Sequence, residues 1–175
     1  MRSTLLLLCC LLPAAAAPAS QTFNRDGTGW AVIGEVADGE ANCFLSARAP
    51  SGAVLRSAMR VEDRRMYFSF ASRAWHDFRG GRREAMTASL DAQSHAVEAM
   101  GLYSADGNGF IFARNPGEAG FGPGLMRAAR LTIRRGNREI VALPLAPLRD
   151  GWRALAECGN AMSDGPDLDP FAGGG

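Results

Sequence analysis

Ser104 to Asn115, SADGNGFIFARN, spaces oxygen-bearing side chains around a glycine as a calcium-binding loop does. Aligned on such a loop, Asp106, Asn108, Gly109 and Phe110 fall at the third, fifth, sixth and seventh positions. Ser104 stands where the first aspartate belongs, and Asn115 where the bidentate glutamate belongs. The loop therefore lacks two of its carboxylates, and the prolines and glycines of FIFARNPGEAGFGPG forbid the exiting helix. The stretch instead predicts a hairpin turn, with Gly107, Asn108 and Gly109 accepting positive φ, that leads into a strand over Phe110–Ala113.

The second stretch is Ser72 to Arg83, SRAWHDFRGGRR. His76 beside Asp77, among arginines, suggests a general base or an anion site. Neighbouring residues of an extended segment point to opposite faces, so His76 and Asp77 would not orient each other there. Trp75 and Phe78 are expected to anchor the segment on the core, with Gly80-Gly81 as its turn. Arginine suits carboxylate and phosphate recognition through its planar fork of donors. Arg64, Arg65, Arg73, His76, Arg79, Arg82 and Arg83 thus form a candidate surface for an anion or a partner. The competing expectation is a solvated face that uses arginine because the chain has no lysine.

That absence excludes chemistry. All nineteen basic residues are arginine, so there is no Schiff-base lysine, no phosphate-loop lysine and no Ser-Lys dyad. No Gly-x-Ser-x-Gly elbow occurs, and GEAGFGPG lacks a following lysine. His76, His95, Cys43 and Cys158 lack the close spacing of a structural zinc site, and His95 sits in a polar turn where solvation is expected. No catalytic residue, cofactor or metal ligand is assigned.

Met1–Ala19 reads as a signal peptide: Arg2, the apolar run LLLLCCLL, then small residues with Ala17 and Ala19 set for cleavage. The run is too short to span a bilayer, and no integral span is expected after cleavage. Cleavage removes Cys9 and Cys10 and leaves Cys43 and Cys158, an even pair that an exported protein most simply joins as a disulfide. Removal of Arg2 takes the nineteen basic residues to eighteen, equal to the eighteen acids, so there is no footprint for nucleic acid.

These residues need a scaffold, and short alternating segments between turns predict a mainly β chain. Strands are expected at Trp30–Glu35, Asn42–Ala49, Val54–Val61, Met66–Ser72, Arg83–Leu90, Val97–Tyr103 and Phe110–Ala113, then in a final hairpin about Gly136-Asn137. Asp38-Gly39 is a further hairpin turn. Asn115–Gly124 is expected to be irregular. A last helix is capped by Asp150, turns Trp152, Leu155 and Ala156 inward and stops at Gly159. The architecture is an antiparallel sandwich or partly open barrel with a short C-terminal helix. One domain spans 28–159, with a flexible segment at 20–27 and a disordered acidic, glycine-rich tail at 160–175.

Trp30, Cys43, PLRDGWRALAEC (Pro147–Cys158) and SFASRAWHDFRGGRR together resemble a layout seen in small exported periplasmic proteins of alphaproteobacteria. More loosely, the plan is similar to the invasion-associated locus B family, which usually carries additional cysteines. The resemblance implies a β-rich periplasmic or secreted protein and carries over no catalytic residue. The expected function is an exported, disulfide-closed, non-catalytic accessory or binding protein of the bacterial envelope. Its partner would be an envelope protein or an anionic glycan or lipid. The alternatives are a small hydrolase centred on His76 and the arginines, and an inhibitor of an envelope-directed enzyme that inserts the loop Asn115–Gly124.

Overall fold

A computed structural model describes residues 19–22, 29–37, 40–112 and 121–163. Its strands are β1 (Ala19–Thr22), β2 (Trp30–Ala37), β3 (Glu40–Arg48), β4 (Val54–Arg60), β5 (Met66–Ser72), β6 (Arg83–Leu90), β7 (Gln93–Ser104), β8 (Gly107–Phe112), β9 (Arg130–Arg135) and β10 (Arg138–Pro144). They form one sheet in the order β1-β2-β3-β4-β5-β8-β7-β6-β9-β10, antiparallel throughout. β1 and β10 are its edges and do not pair with each other, so the sheet is open. Helix α1 (Phe121–Arg127) precedes β9, and helix α2 (Arg149–Ala161) closes the described chain after a 3-10 turn at Ala146–Leu148. The expected class holds: mainly β, antiparallel, not closed, with a short C-terminal helix. Neither helix is long and apolar enough to cross a membrane.

Alternation explains which face each strand buries. In β5, Met66, Phe68 and Phe70 are buried while Tyr67 is exposed; in β4, Leu55, Ser57 and Met59 are buried while Arg56 is exposed. One buried cluster draws on every strand from β2 to β10 and on both helices, so the sheet curls around a single core. Each large apolar side chain in it contributes about 1.5 to 3 kcal/mol. Ser57 is the exception, fully buried with an Oγ that has no hydrogen-bond partner among the described residues. Ser57→Ala is expected to raise stability by about 1 kcal/mol, read as a higher urea midpoint, because it removes an unsatisfied polar group.

The strand alternation leaves an apolar row on the outer face. Ile33, Phe44, Ala58 and Tyr67 are neighbours in register across β2, β3, β4 and β5.

Helix α2 buries Trp152, Leu155, Ala156 and Cys158 against β2, β3 and β4. Cys158 meets Cys43 of β3 in a disulfide with Cα atoms 6.1 Å apart, as the sequence predicts. The ends of the helix differ from expectation. Leu148 precedes its first turn and no side chain caps it. Asp150 lies within that turn, paired with Arg153 at 2.6 Å, where its charge still favours the helix dipole. Gly159 does not stop the helix, which continues to Ala161. A Cβ at Gly159 would collide with the Met59 side chain and lie 2.8 Å from Arg64 Nη1, so the residue serves close packing.

Three segments expected to be irregular contain structure. Ala19–Thr22 pairs with β2, where it satisfies backbone groups of that strand, so the flexible segment predicted at 20–27 begins as an edge strand. Phe121–Gly124 of the expected irregular loop opens α1, because proline is tolerated in a first helical turn and burial of Phe121 and Leu125 outweighs the glycines. Asn160–Ser163 of the expected disordered tail belongs to the folded body, and Met162 Sδ rests 3.6 and 3.7 Å from the two disulfide sulfurs. Residues 1–18 of the expected signal peptide, 23–28 of the N-terminal segment, the turn Asp38-Gly39, residues 113–120 and the tail from 164 lie outside the described residues.

Candidate functional site

The candidate surface divides in two. Arg64 and Arg65 stand in the turn before β5, whereas Arg73–Arg83 follows it. A seven-residue strand separates them, about 20 Å at the usual rise per residue. The seven residues grouped from the sequence therefore do not form one surface.

At the first end the arginines serve the fold. Asp63 accepts hydrogen bonds from Arg60, from the Arg65 backbone N–H at 3.1 Å, and pairs with Arg65 Nε at 3.2 Å. Arg64 adopts a positive φ of 55° and carries its guanidinium to the last turn of α2, which has no basic residue of its own. The hydrogen bond from Arg60, opposed by partial desolvation and helped by the Arg65 amide, holds the Asp63 carboxyl at about 2, below its ordinary 3.8. A depressed carboxylate pKa contributes stability that is present above 3.8 and is lost as pH falls through about 2. Thermal melts between pH 5 and 2 should therefore decline less steeply for Asp63→Asn than for the unmodified chain. The difference amounts to no more than a few degrees, because the pair is open to solvent.

At the second end the connection from β5 to β6 is pinned at several points. Ser72 Oγ accepts the Ala74 amide at 3.2 Å, and the Ser72 carbonyl accepts the Trp75 amide at 3.2 Å. Phe78 is buried, and Trp75, half-buried, stacks on Phe110 at 5.8 Å. These two anchors are as predicted. Gly81 donates to the Gly101 carbonyl at 2.9 Å, and Gly101 donates to the Arg82 carbonyl at 2.8 Å. A Cβ at Gly101 would lie 2.8 Å from the Arg79 carbonyl carbon, so only glycine lets the loop approach β7 this closely.

The charged clamp on this loop comes from far along the chain. Arg135 of β9 grips Glu84 with two parallel contacts, Nε to Oε2 at 2.6 Å and Nη2 to Oε1 at 2.7 Å, and reaches Asp77 at 2.6 Å. Its guanidinium also lies 5.1 Å over the Phe78 ring, and Arg138 adds a contact to Asp77 at 3.1 Å. Desolvation pushes the Asp77 carboxyl upward, but its own backbone amide and the two arginines outweigh that and hold it below the usual range. Arg135→Ala is expected to lower stability by about 2 to 3 kcal/mol in urea unfolding, since Glu84, 12% exposed, would lose its fork partner. Arg135→Lys restores only part, because an ammonium cannot make the fork.

Of the seven residues, Arg65, Arg82 and Arg83 are ion-paired, with Asp63, Glu84 at 3.8 Å and Glu98 at 2.8 Å. Arg73, His76 and Arg79 are exposed, and their side chains make no hydrogen bond or ion pair with another described residue. Among the described residues His76 thus hydrogen-bonds to no carboxylate or hydroxyl, and Asp77 is engaged by Arg135 and Arg138. Neither residue is arranged as a general base with its orienter.

Tyr103 belongs to this end, though its sequence context marked it only as strand. A Cβ at Gly80 would meet the Tyr103 ring at 2.6 Å, and Tyr103 is 68% exposed. The signal available in sequence was an aromatic at a strand end beside a glycine-rich turn.

The calcium-like stretch lies alongside. Ala105 and Asp106 form the turn between β7 and β8, Gly107 alone of its three candidates takes positive φ, at 113°, and Asn108 and Gly109 are in β8. Ser104 Oγ accepts the Asp106 amide at 3.2 Å, and the Asp106 carboxylate is taken by Arg56 at 2.7 Å. The turn is therefore closed by protein groups. A Cβ at Gly107 would lie 2.7 Å from Cα of Arg73, which places this turn against the arginine loop.

Two other expectations meet the structure. His95 is half-buried in β7, edge-on to Phe121 at 5.6 Å, and not in a solvated turn. Phe121, within the loop proposed for insertion into a foreign enzyme, is fully buried and serves the core. Cys43 and Cys158 are consumed by their bridge, and among the described residues no group of three or more His, Cys, Asp or Glu side chains gathers as a metal site. The chain matches no family model, no curated protein and no solved structure.

Proposed function

We propose that this chain is an exported, non-catalytic binding or accessory protein of the bacterial envelope, and that the loop Arg73–Arg83 faces its partner. One observation carries the binding role: the side chains of Arg73, His76 and Arg79 have no hydrogen-bond or ion-pair partner among the described residues, on a loop that Phe78, Arg135 and Gly101 hold in place. Cations left unpaired on a preorganised loop bind without the cost of ordering it. The leader-like N-terminus, the resemblance to periplasmic proteins and a disulfide suited to an oxidising compartment support export.

The test replaces His76 with a photo-crosslinking residue in the native host, with exposed Glu157 of α2 as the control position. The expected result is a processed chain in the periplasmic fraction that forms an adduct from position 76 and not from 157. A chain retained in the cytoplasm with its leader overturns export. Equal or absent adducts at the two positions overturn the partner-facing loop.

A further inference from the structure

We propose that the surface formed by Arg73, Arg79, Tyr103 and the rim residue Trp75 binds an acidic polysaccharide, a sugar chain bearing carboxylates. This deepens the binding role proposed above and rests on it. Three observations meet at this end of the sheet. Arg73 and Arg79 are exposed and have no partner among the described residues, whereas the neighbouring Arg82 and Arg83 are already paired. Tyr103 is the most exposed of the large hydrophobic side chains among the described residues, yet its ring is held against Gly80, the residue after Arg79. Backbone contacts join the pieces: Tyr103 pairs with Asn108, Asn108 with Ser72, and Gly107 abuts Cα of Arg73.

Backbone contacts thus set Arg73 and Arg79 near the Tyr103 ring, which packs on Gly80. A sugar ring presents an apolar C–H face suited to stacking on an aromatic, and its carboxylate accepts the two parallel hydrogen bonds that guanidinium offers. A sugar acid uses both features at once. A membrane surface would ask for apolar side chains to insert beside the cations. Of the exposed apolar side chains, Ile33, Phe44 and Tyr67 lie in the row across β2, β3 and β5, and Met100, opposite Arg83, faces the other side of β7 from Tyr103.

Asp77 does not oppose such a ligand, because Arg135 and Arg138 neutralise it. His76, exposed between Trp75 and Asp77, adds a donor without being required. No ordering of the loop is needed on binding, since Trp75 and Phe78 already stack on Phe110.

Affinity electrophoresis of the folded protein in gels containing polygalacturonate tests this, with neutral dextran gels as reference. The expected result is retardation by polygalacturonate alone. It should weaken about tenfold or more in Arg73→Gln/Arg79→Gln, which loses charged hydrogen bonds, and about fivefold in Tyr103→Ala. The charge-matched control Arg127→Gln/Arg134→Gln, at exposed positions on α1 and β9, should retain full retardation. Circular dichroism confirms that each variant is folded, and Tyr103→Phe should preserve binding if Tyr103→Ala disturbs the loop.

Absence of retardation overturns the proposal. So does an equal loss in the Arg127/Arg134 control, which would mean attraction of a polyanion to any arginine. Sedimentation with phosphatidylglycerol vesicles in place of polygalacturonate binding overturns it in favour of a lipid surface. If polygalacturonate fails while position 76 still yields a specific crosslink in the periplasm, only the sugar assignment falls and the binding role stands.

Discussion

Removing the Cys43–Cys158 bridge is expected to lower unfolding stability by about 4 to 5 kcal/mol. The cysteines are 115 residues apart, so the bridge closes a loop containing most of the described sheet, and chain entropy rises with loop length. The cross-link restricts the unfolded chain and also holds the C-terminal turn of α2 on β3. Both sulfurs are fully buried, so alanine is the better replacement, because a serine would add an unsatisfied hydroxyl to the loss. Urea unfolding of the Cys43→Ala/Cys158→Ala chain, followed through tryptophan fluorescence, measures the effect. A change below about 1 kcal/mol would mean that α2 and β3 are held by packing and that the unfolded chain is already constrained.

Phe110→Ala is expected to cost about 3 to 5 kcal/mol, the range for deleting a buried aromatic. Phe110 is fully buried in β8 and touches four other rings: Phe70 at 5.4 Å, Phe78 at 5.2 Å, Trp75 at 5.8 Å and Phe112 at 6.1 Å. Through Phe112 the chain of rings continues to Phe121 and then to His95 at 5.6 Å. The lesion therefore reaches the loop as well as the core. Trypsin, which cleaves after arginine, reports this directly: Arg73, Arg79 and Arg82 should resist cleavage in the unmodified protein and be cut early in the variant. A destabilised variant whose loop remains resistant would show that the Arg135 clamp, and not the aromatic stack, holds Arg73–Arg83.

Where alternation is strong, the sequence foretold the strands to the residue. Met66–Ser72 matches β5, because apolar side chains at every second position permit only one buried face; Arg83–Leu90 also matches β6, although its alanine-rich sequence suits a helix as well. The disulfide and the inward face of α2 were legible for similarly local reasons: an even cysteine pair and a helical spacing of Trp152, Leu155 and Ala156. Helix α1 was not. Its glycines and proline oppose a helix locally, and only burial of Phe121 and Leu125 beneath the sheet makes it worthwhile. Gly124 belongs there because a Cβ would meet Leu90 at 2.6 Å, a contact between segments far apart in sequence.

The candidate site divides along the same line. Residue types marked Arg73, His76 and Arg79 as part of a candidate anion or partner surface on a turn anchored by Trp75 and Phe78. Type and proximity in sequence also grouped them with Arg64 and Arg65, which β5 carries to the opposite end of the sheet. Pairing was equally hidden, since Arg135 and Arg138 lie 58 and 61 residues from the Asp77 they engage. Composition, periodicity and cysteine number thus determined that this chain is a disulfide-closed, mainly β protein without lysine chemistry. Which arginines have no side-chain partner among the described residues, and that Tyr103 stands near them, was decided only by tertiary structure. Strand order brings distant carboxylates and cations into contact, and a charge is available to a partner only when the fold has not already spent it.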